Sequence, residues 1–289
     1  MKKKREYLCN LVVPGFPKTG TSSLHKYLDM HPEICMSSPR KEPHFFSRTD
    51  SWLRGSSFHN NLFAGQTGEE KYYGESSTTY CIWRNAISKI SNSLDDPRII
   101  ILLRDPIERT LSHYRWLWQL GIEKRPFRRA LLEDGRTFHP DYDIKGMFMG
   151  YLEFSQYEKY VPLWIDKFGD NRVNLVTQQD LQIKPVETLN KVFTFLEIEQ
   201  LKELPIVGSN KTEKTIGLLS DRGIMIKKII PAVLRDVIAN TKCARMGGYI
   251  FGRRKLNPPA TVSDEDILWL EEELNTARNF YREVVSPRK

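Results

Sequence analysis

Apolar residues in this chain come in short blocks separated by polar turns, and the blocks set a strand–helix rhythm. Leu11-Val12-Val13 is a compact apolar run with PGFPKTG directly behind it. From Ser22 to Met30 the apolar positions Leu24, Tyr27 and Leu28 share one helical face, and His31-Pro32 ends the helix. Ile34-Cys35-Met36 is a second short block, followed by the polar loop Ser37–Pro43. Residues 47–70 are weakly patterned and read as a surface excursion. Tyr72–Glu75 predicts a strand end, and Asn85–Leu94 a helix. Arg98–Leu103 (RIIILL) is the strongest strand signal: a continuous apolar run bounded by turns suits a central parallel strand covered on both faces.

The rhythm continues beyond that strand. Ile107, Leu111, Tyr114 and Trp118 predict a helix; residues 121–145 are charged and irregular. Glu153–Phe168 reads as one amphipathic helix whose Tyr157, Tyr160 and Trp164 pack the core. Val173–Thr177 predicts a strand, and Val186–Leu196 and Ile224–Ile238 predict helices. Gly247–Pro259 is a basic loop, and Ser263 caps a last helix over Asp264–Val284. Strand, turn and helix recur, so the expected fold is α/β, a P-loop-type central parallel sheet flanked by helices on both faces. With no internal repeat or clear linker, residues 1–289 are expected to form a single domain. Ligands of such sheets bind at the carboxyl ends of the strands, where the Gly15–Ser23 loop, Glu75 and Arg104 converge.

Composition narrows the chemistry only a little. Hydrophobic residues at 40% and charged residues at 28% are ordinary for a globular protein. The net charge of +8 favours anionic ligands, although the basic residues are too dispersed for a nucleic-acid binder. Cys9, Cys35, Cys81 and Cys243 lie far apart with no C-x-x-C pair, which predicts free thiols in a reducing compartment and no metal centre. No apolar run approaches membrane-spanning length, so the chain as given is expected to be soluble.

Three motifs carry candidate chemistry. In LVVPGFPKTGTSSL, a strand, a Gly-rich turn and a helix start aim backbone N–H groups and a helix dipole at one spot. Gly15 and Gly20 have Walker A spacing, yet Thr21 and Ser22 stand where Lys and Ser/Thr should follow, and Lys18 has moved inside the loop. A phosphate-bearing ligand is expected, but not an ordinary nucleotide triphosphate; a P-loop phosphotransferase is the rival class. Arg104 ends the strongest strand and can clamp a phosphate bidentately, with Ser112 about two turns along the next helix. In isolation this pair reads equally well as a surface turn and a helix serine. In Arg40-Lys41-Glu42-Pro43-His44-Phe45-Phe46, Glu42 can serve as a positioned general base, although most glutamates so placed are simply solvated.

PGFPKTGTSSLHKYL, KEPHFF and RIIILLRDPIERTLSHY, in that order, resemble the sulfotransferases that use 3′-phosphoadenosine 5′-phosphosulfate, and most closely the heparan-sulfate branch. The resemblance implies transfer of a sulfuryl group to a hydroxyl of a carbohydrate or glycoconjugate, or alternatively of a small natural product, without a metal. It implies that Gly15–Ser23, including Pro17, Lys18, Thr19, Gly20, Thr21, Ser22 and Ser23, cradles the phosphosulfate. Lys18 and Glu42 would be catalytic, one on the bridging oxygen and one on the acceptor proton. Arg104 and Ser112 would grip the 3′-phosphate, with Gly252 and Arg253 in a late cofactor loop. Lys41, His44 and Glu75 would meet the acceptor, and the released product would be adenosine 3′,5′-bisphosphate. Two departures stand out: Ser76 replaces a lysine common after the matching glutamate, and Cys243 has no nearby partner cysteine. Both weaken a heparan-like acceptor and imply a cytoplasmic enzyme.

Overall fold

A computed structural model describes residues 6–134, 150–203, 258 and 260–286. The single domain expected over 1–289 comes as two compact units. The first takes in Met1–Tyr114, Arg125–Ser209 and Val262–Lys289, and the second Arg115–Lys124 and Asn210–Thr261. The second is described mainly over Arg115–Lys124, which closes the helix over Pro106–Gln119 with Ile122 and Glu123 N–H groups on the Leu117 carbonyl.

The centre of the first unit is a five-stranded, all-parallel sheet of β1 (Leu11–Val12), β2 (Ile34–Met36), β3 (Tyr72–Glu75), β4 (Arg98–Leu103) and β5 (Val173–Thr177), in the order β2-β3-β1-β4-β5. The continuous apolar run of β4 now has its reason. Ile99, Ile101 and Leu103 enter one core, Ile100 and Leu102 the other, and all five are fully buried. A strand covered on both faces has no polar side to alternate with.

Each core is roofed by its own helices. α1 (Thr21–Asp29) supplies Leu24, Tyr27 and Leu28 to one, joined by residues of α8 (Gln178–Ile183) and α9 (Pro185–Phe195). The other is filled from α4 (Arg84–Ser93), α7 (Tyr157–Phe168) and Tyr281 of α11 (Asn275–Val285). The expected helix-flanked parallel sheet is thus observed.

Differences from the sequence reading are local. The excursion over 47–70 folds into α2 (Thr49–Trp52), α3 (Gly55–Asn60) and a 3₁₀ turn at Asn61–Phe63, and sends His59 and Phe63 into the core. Single buried residues on short turns leave no periodicity to read. The helix expected over Glu153–Phe168 begins as a separate 3₁₀ turn, Glu153–Ser155, because Gln156 leaves helical geometry with ψ 66°. The last helix is likewise two, α10 (Asp264–Glu273) and α11, broken at Leu274. α5 (Pro106–Gln119) starts directly after Arg104-Asp105, and α6 (Phe127–Asp134) interrupts the stretch expected to be irregular. Cys9, Cys35 and Cys81 are free thiols. The expected helix over 224–238 and the basic loop with Gly252 and Arg253 lie outside the described residues. Among the described residues no helix is long and apolar enough to cross a membrane.

Candidate active site

The loop between β1 and α1 is built from the sheet outward. Val13 donates its N–H to the Glu75 carbonyl (2.8 Å), and Gly15 and Phe16 exchange backbone hydrogen bonds with Leu102 on β4 (3.0 and 3.1 Å). Gly15 has φ 150°, and a Cβ there would stand 2.8 Å from both Cβ and Sγ of Cys81 and 3.0 Å from the Thr78 carbonyl. Only glycine fits. Lys18 then takes the left-handed region (φ 70°), Thr19 Oγ1 donates back to the Phe16 carbonyl (2.6 Å), and Gly20 (φ 95°) caps α1. The first turn of α1 itself carries no acidic side chain to offset its positive end.

Two arginines hold this loop from the β4–α5 side. Arg104, just past β4, donates to the Lys18 carbonyl (3.3 Å) and to Glu108 (3.2 Å). Arg109 is fully buried beneath the loop and donates to the Pro17 carbonyl (3.4 Å), Ser155 Oγ (2.6 Å) and the Tyr151 carbonyl. Burial lowers Lys18 to a pKa of about 8, helped by repulsion from Arg104 and Arg109. Burial also lowers Arg109, to about 10. Cations gathered this closely around a glycine loop and a bare helix N-terminus fit a polyanion. Ser112 is half-buried further along α5; among the described residues it hydrogen-bonds neither Arg104 nor the loop.

Glu42 stands beside the helix start. Lys41 Nζ bridges Thr21 Oγ1 (3.2 Å) and Glu42 Oε1 (2.8 Å), while Glu42 Oε2 accepts from Thr78 Oγ1 (2.8 Å). Burial pushes the Glu42 carboxyl up, but Lys41, His44 and Thr78 together outweigh it and hold the group below the usual range. His44 Nε2 lies 3.8 Å from Glu42 Oε2, and its Nδ1 pairs with Thr79 Oγ1 at 3.0 Å. Burial lowers its pKa, which favours the neutral ring.

Residues 10–210 match the family model described as sulfotransferase domain. The chain belongs to the sulfotransferase family. This sulfotransferase is similar to mouse heparan sulfate glucosamine 3-O-sulfotransferase 3A1, 26% identical over 191 residues covering 66% of this chain and 46% of that one. A Dictyostelium discoideum relative named membrane-associated sulfotransferase kil1 is 34% identical over 111 residues, 38% of this chain and 23% of that one. The chain therefore spans about half the length, or less, of these curated relatives. The fold also matches the solved sulfotransferase from Alicyclobacillus acidocaldarius, with a TM-score of 0.61 and 24% identity over 85% of this chain and 96% of that one.

Against this sulfotransferase fold the expected residues sort clearly. The structure brings the Lys18 loop, Arg104, Lys41 and Glu42 into one linked cluster. It does not bring Glu75 to an acceptor. Its side chain is fully buried, and it accepts from Tyr80 (3.1 and 3.2 Å) and Ser77 (3.3 Å) with His59 Nε2 at 3.4 Å. The expected acceptor contact is corrected by that burial. Nor are metal-ligand types as scattered as the sequence suggested, because Cys9, His59 and Glu75 place their ligand atoms within 4.8 Å of one another in the core.

Two residues escaped the sequence reading. Arg109 carries no distinguishing signal in the sequence, and only its burial reveals it. His25 pairs through Nδ1 with Ser76 Oγ (2.9 Å), and burial with repulsion from Lys41 lowers it to about 4. A signal for it existed: His25 is one helical turn beyond Thr21, on the same face of α1.

Proposed function

We propose that this chain transfers a sulfuryl group from 3′-phosphoadenosine 5′-phosphosulfate to a hydroxyl of a carbohydrate or glycoconjugate, releasing adenosine 3′,5′-bisphosphate. The observation that carries the reading is the chain of contacts Thr21–Lys41–Glu42. It ties the start of the anion cradle to a carboxylate, so a donor phosphosulfate and an acceptor proton can be handled side by side. When bound, the donor supplies the sulfuryl group for an in-line displacement between acceptor oxygen and leaving phosphate.

The chain's own residues then have distinct tasks. The loop N–H groups and the α1 N-terminus bind and orient the phosphosulfate, and protonated Lys18 offsets charge that builds on the leaving oxygen. Arg104 and Ser112 serve the 3′-phosphate, a group that calls for a forked cation. Glu42 is ionised at neutral pH and accepts the acceptor hydroxyl's proton. Lys41 and His44 border the acceptor side of Glu42. The relatives named for heparan sulfate support a sugar hydroxyl as acceptor.

The test is incubation with ³⁵S-labelled donor and a panel of heparan-type oligosaccharides, glycolipids and phenols. Label on a glycan is the expected result. Label confined to phenols would move the acceptor to the small-molecule class. Tight adenosine 3′,5′-bisphosphate binding with no transfer to any acceptor would overturn the reading.

A further inference from the structure

Glu75 is closed off from solvent, yet it organises the segment that carries Glu42. A carboxylate can only accept hydrogen bonds, and each hydroxyl has a single proton to give. Ser77 and Tyr80 both spend that proton on Glu75. Their lone pairs are thereby aimed elsewhere. Ser77 Oγ accepts the N–H of His44 at 3.0 Å, and Tyr80 Oη accepts the N–H of Phe46 at 3.1 Å.

These amides anchor the segment Glu42-Pro43-His44-Phe45-Phe46. Pro43 has no N–H to offer, and His44 sits at φ 53°, a backbone conformation that needs support from its surroundings. Phe45 and Phe46 are fully buried, which fixes the far end of the segment. The near end is Glu42, whose side chain is 31% exposed. We propose that Glu75 is a positioning residue for Glu42: through Ser77 and Tyr80 it pins the His44 and Phe46 amides and so sets where the Glu42 carboxylate stands. The inference rests on the reading of Glu42 as the base.

The full chain tests it. Tyr80→Phe and Ser77→Ala each remove one hydroxyl and leave the side chains of Glu42 and the Lys18 loop chemically unchanged. With the acceptor that takes most label in the panel above, each should lower kcat about tenfold or more. Affinity for adenosine 3′,5′-bisphosphate should stay the same. In a Glu42→Gln background the same changes should cost nothing further, because their effect runs through that carboxylate. Amide exchange should accelerate at Phe46 in Tyr80→Phe and at His44 in Ser77→Ala, while Leu24 stays protected. Glu75→Ala should lose as much as the two hydroxyl changes combined, and Glu75→Gln, which keeps one acceptor oxygen, should recover part of it. If Glu75→Ala does not fold, the hydroxyl variants carry the test. Unchanged kcat in both hydroxyl variants, or equal losses with and without Glu42, overturns the positioning role alone. Full turnover in Glu42→Gln removes the base reading and this inference with it.

Discussion

Arg104 donates its guanidinium N–H to the backbone carbonyl of Lys18 at 3.3 Å, joining two motifs that lie 86 residues apart in the chain. The contact puts one cation against the backbone of another, and the cost shows in Lys18, whose pKa falls to about 8 under burial and repulsion. A site that holds its cations at some expense is prepared for an anion.

Lys18 therefore predicts a pH dependence. Its folded pKa of about 8 lies below the ordinary 10.5, so between these values the unfolded chain binds the extra proton. Stability of the ligand-free protein should rise with pH across that window. Adenosine 3′,5′-bisphosphate binding should go the other way, weakening above pH 8 with proton uptake. Calorimetry in buffers of different ionisation enthalpy measures that uptake, and Lys18→Ala should abolish it along with transfer. Uptake unchanged in Lys18→Ala would assign the proton to another group.

Glu42→Gln should lower kcat by about 10²–10⁴, the range expected for a general base, with bisphosphate affinity held within a few-fold. Because Glu42 is held below the usual carboxylate range, the acid limb of the wild-type profile should lie there too. An acid limb near neutrality would point to a different base.

Arg109 is buried with several acceptors that depend on it. Arg109→Ala takes a donor from the part-buried Pro17 carbonyl and from Ser155 Oγ and leaves the Tyr151 carbonyl with Thr110 Oγ1 alone, where a buried group left unsatisfied costs about 1–3 kcal/mol. Denaturant unfolding should show a loss of about 3 kcal/mol or more, and Arg109→Lys should restore only part of it. A loss under about 1 kcal/mol would mean that water replaces the guanidinium.

Gly15→Ala should destabilise by about 1–3 kcal/mol through overpacking against Cys81 and the Thr78 carbonyl. It should also weaken bisphosphate binding, since the cradle begins there. Gly65→Ala, where a Cβ would meet nothing within 4 Å, is the control for thermal melts. Equal melting temperatures for the two variants would contradict the close contact.

Much of this protein is legible in one dimension because its signals are local. The RIIILL run announces a strand buried on both faces, and the Gly15–Gly20 spacing with a helix behind it announces an anion cradle. The misplaced Lys18, KEPHFF and Arg104 identify the family motifs before any coordinates are known. Burial is not local. Arg109 and Glu75 are ordinary charged letters in the sequence, and the neighbours that bury them include residues from segments 16 to 92 residues away. Only packing of those segments decides that one charge holds the loop carbonyls and that the other is sealed from any acceptor. The sequence determined which groups could bind and transfer. The tertiary structure decided which charges meet solvent, because desolvation depends on everything that surrounds a group and not on its position along the chain.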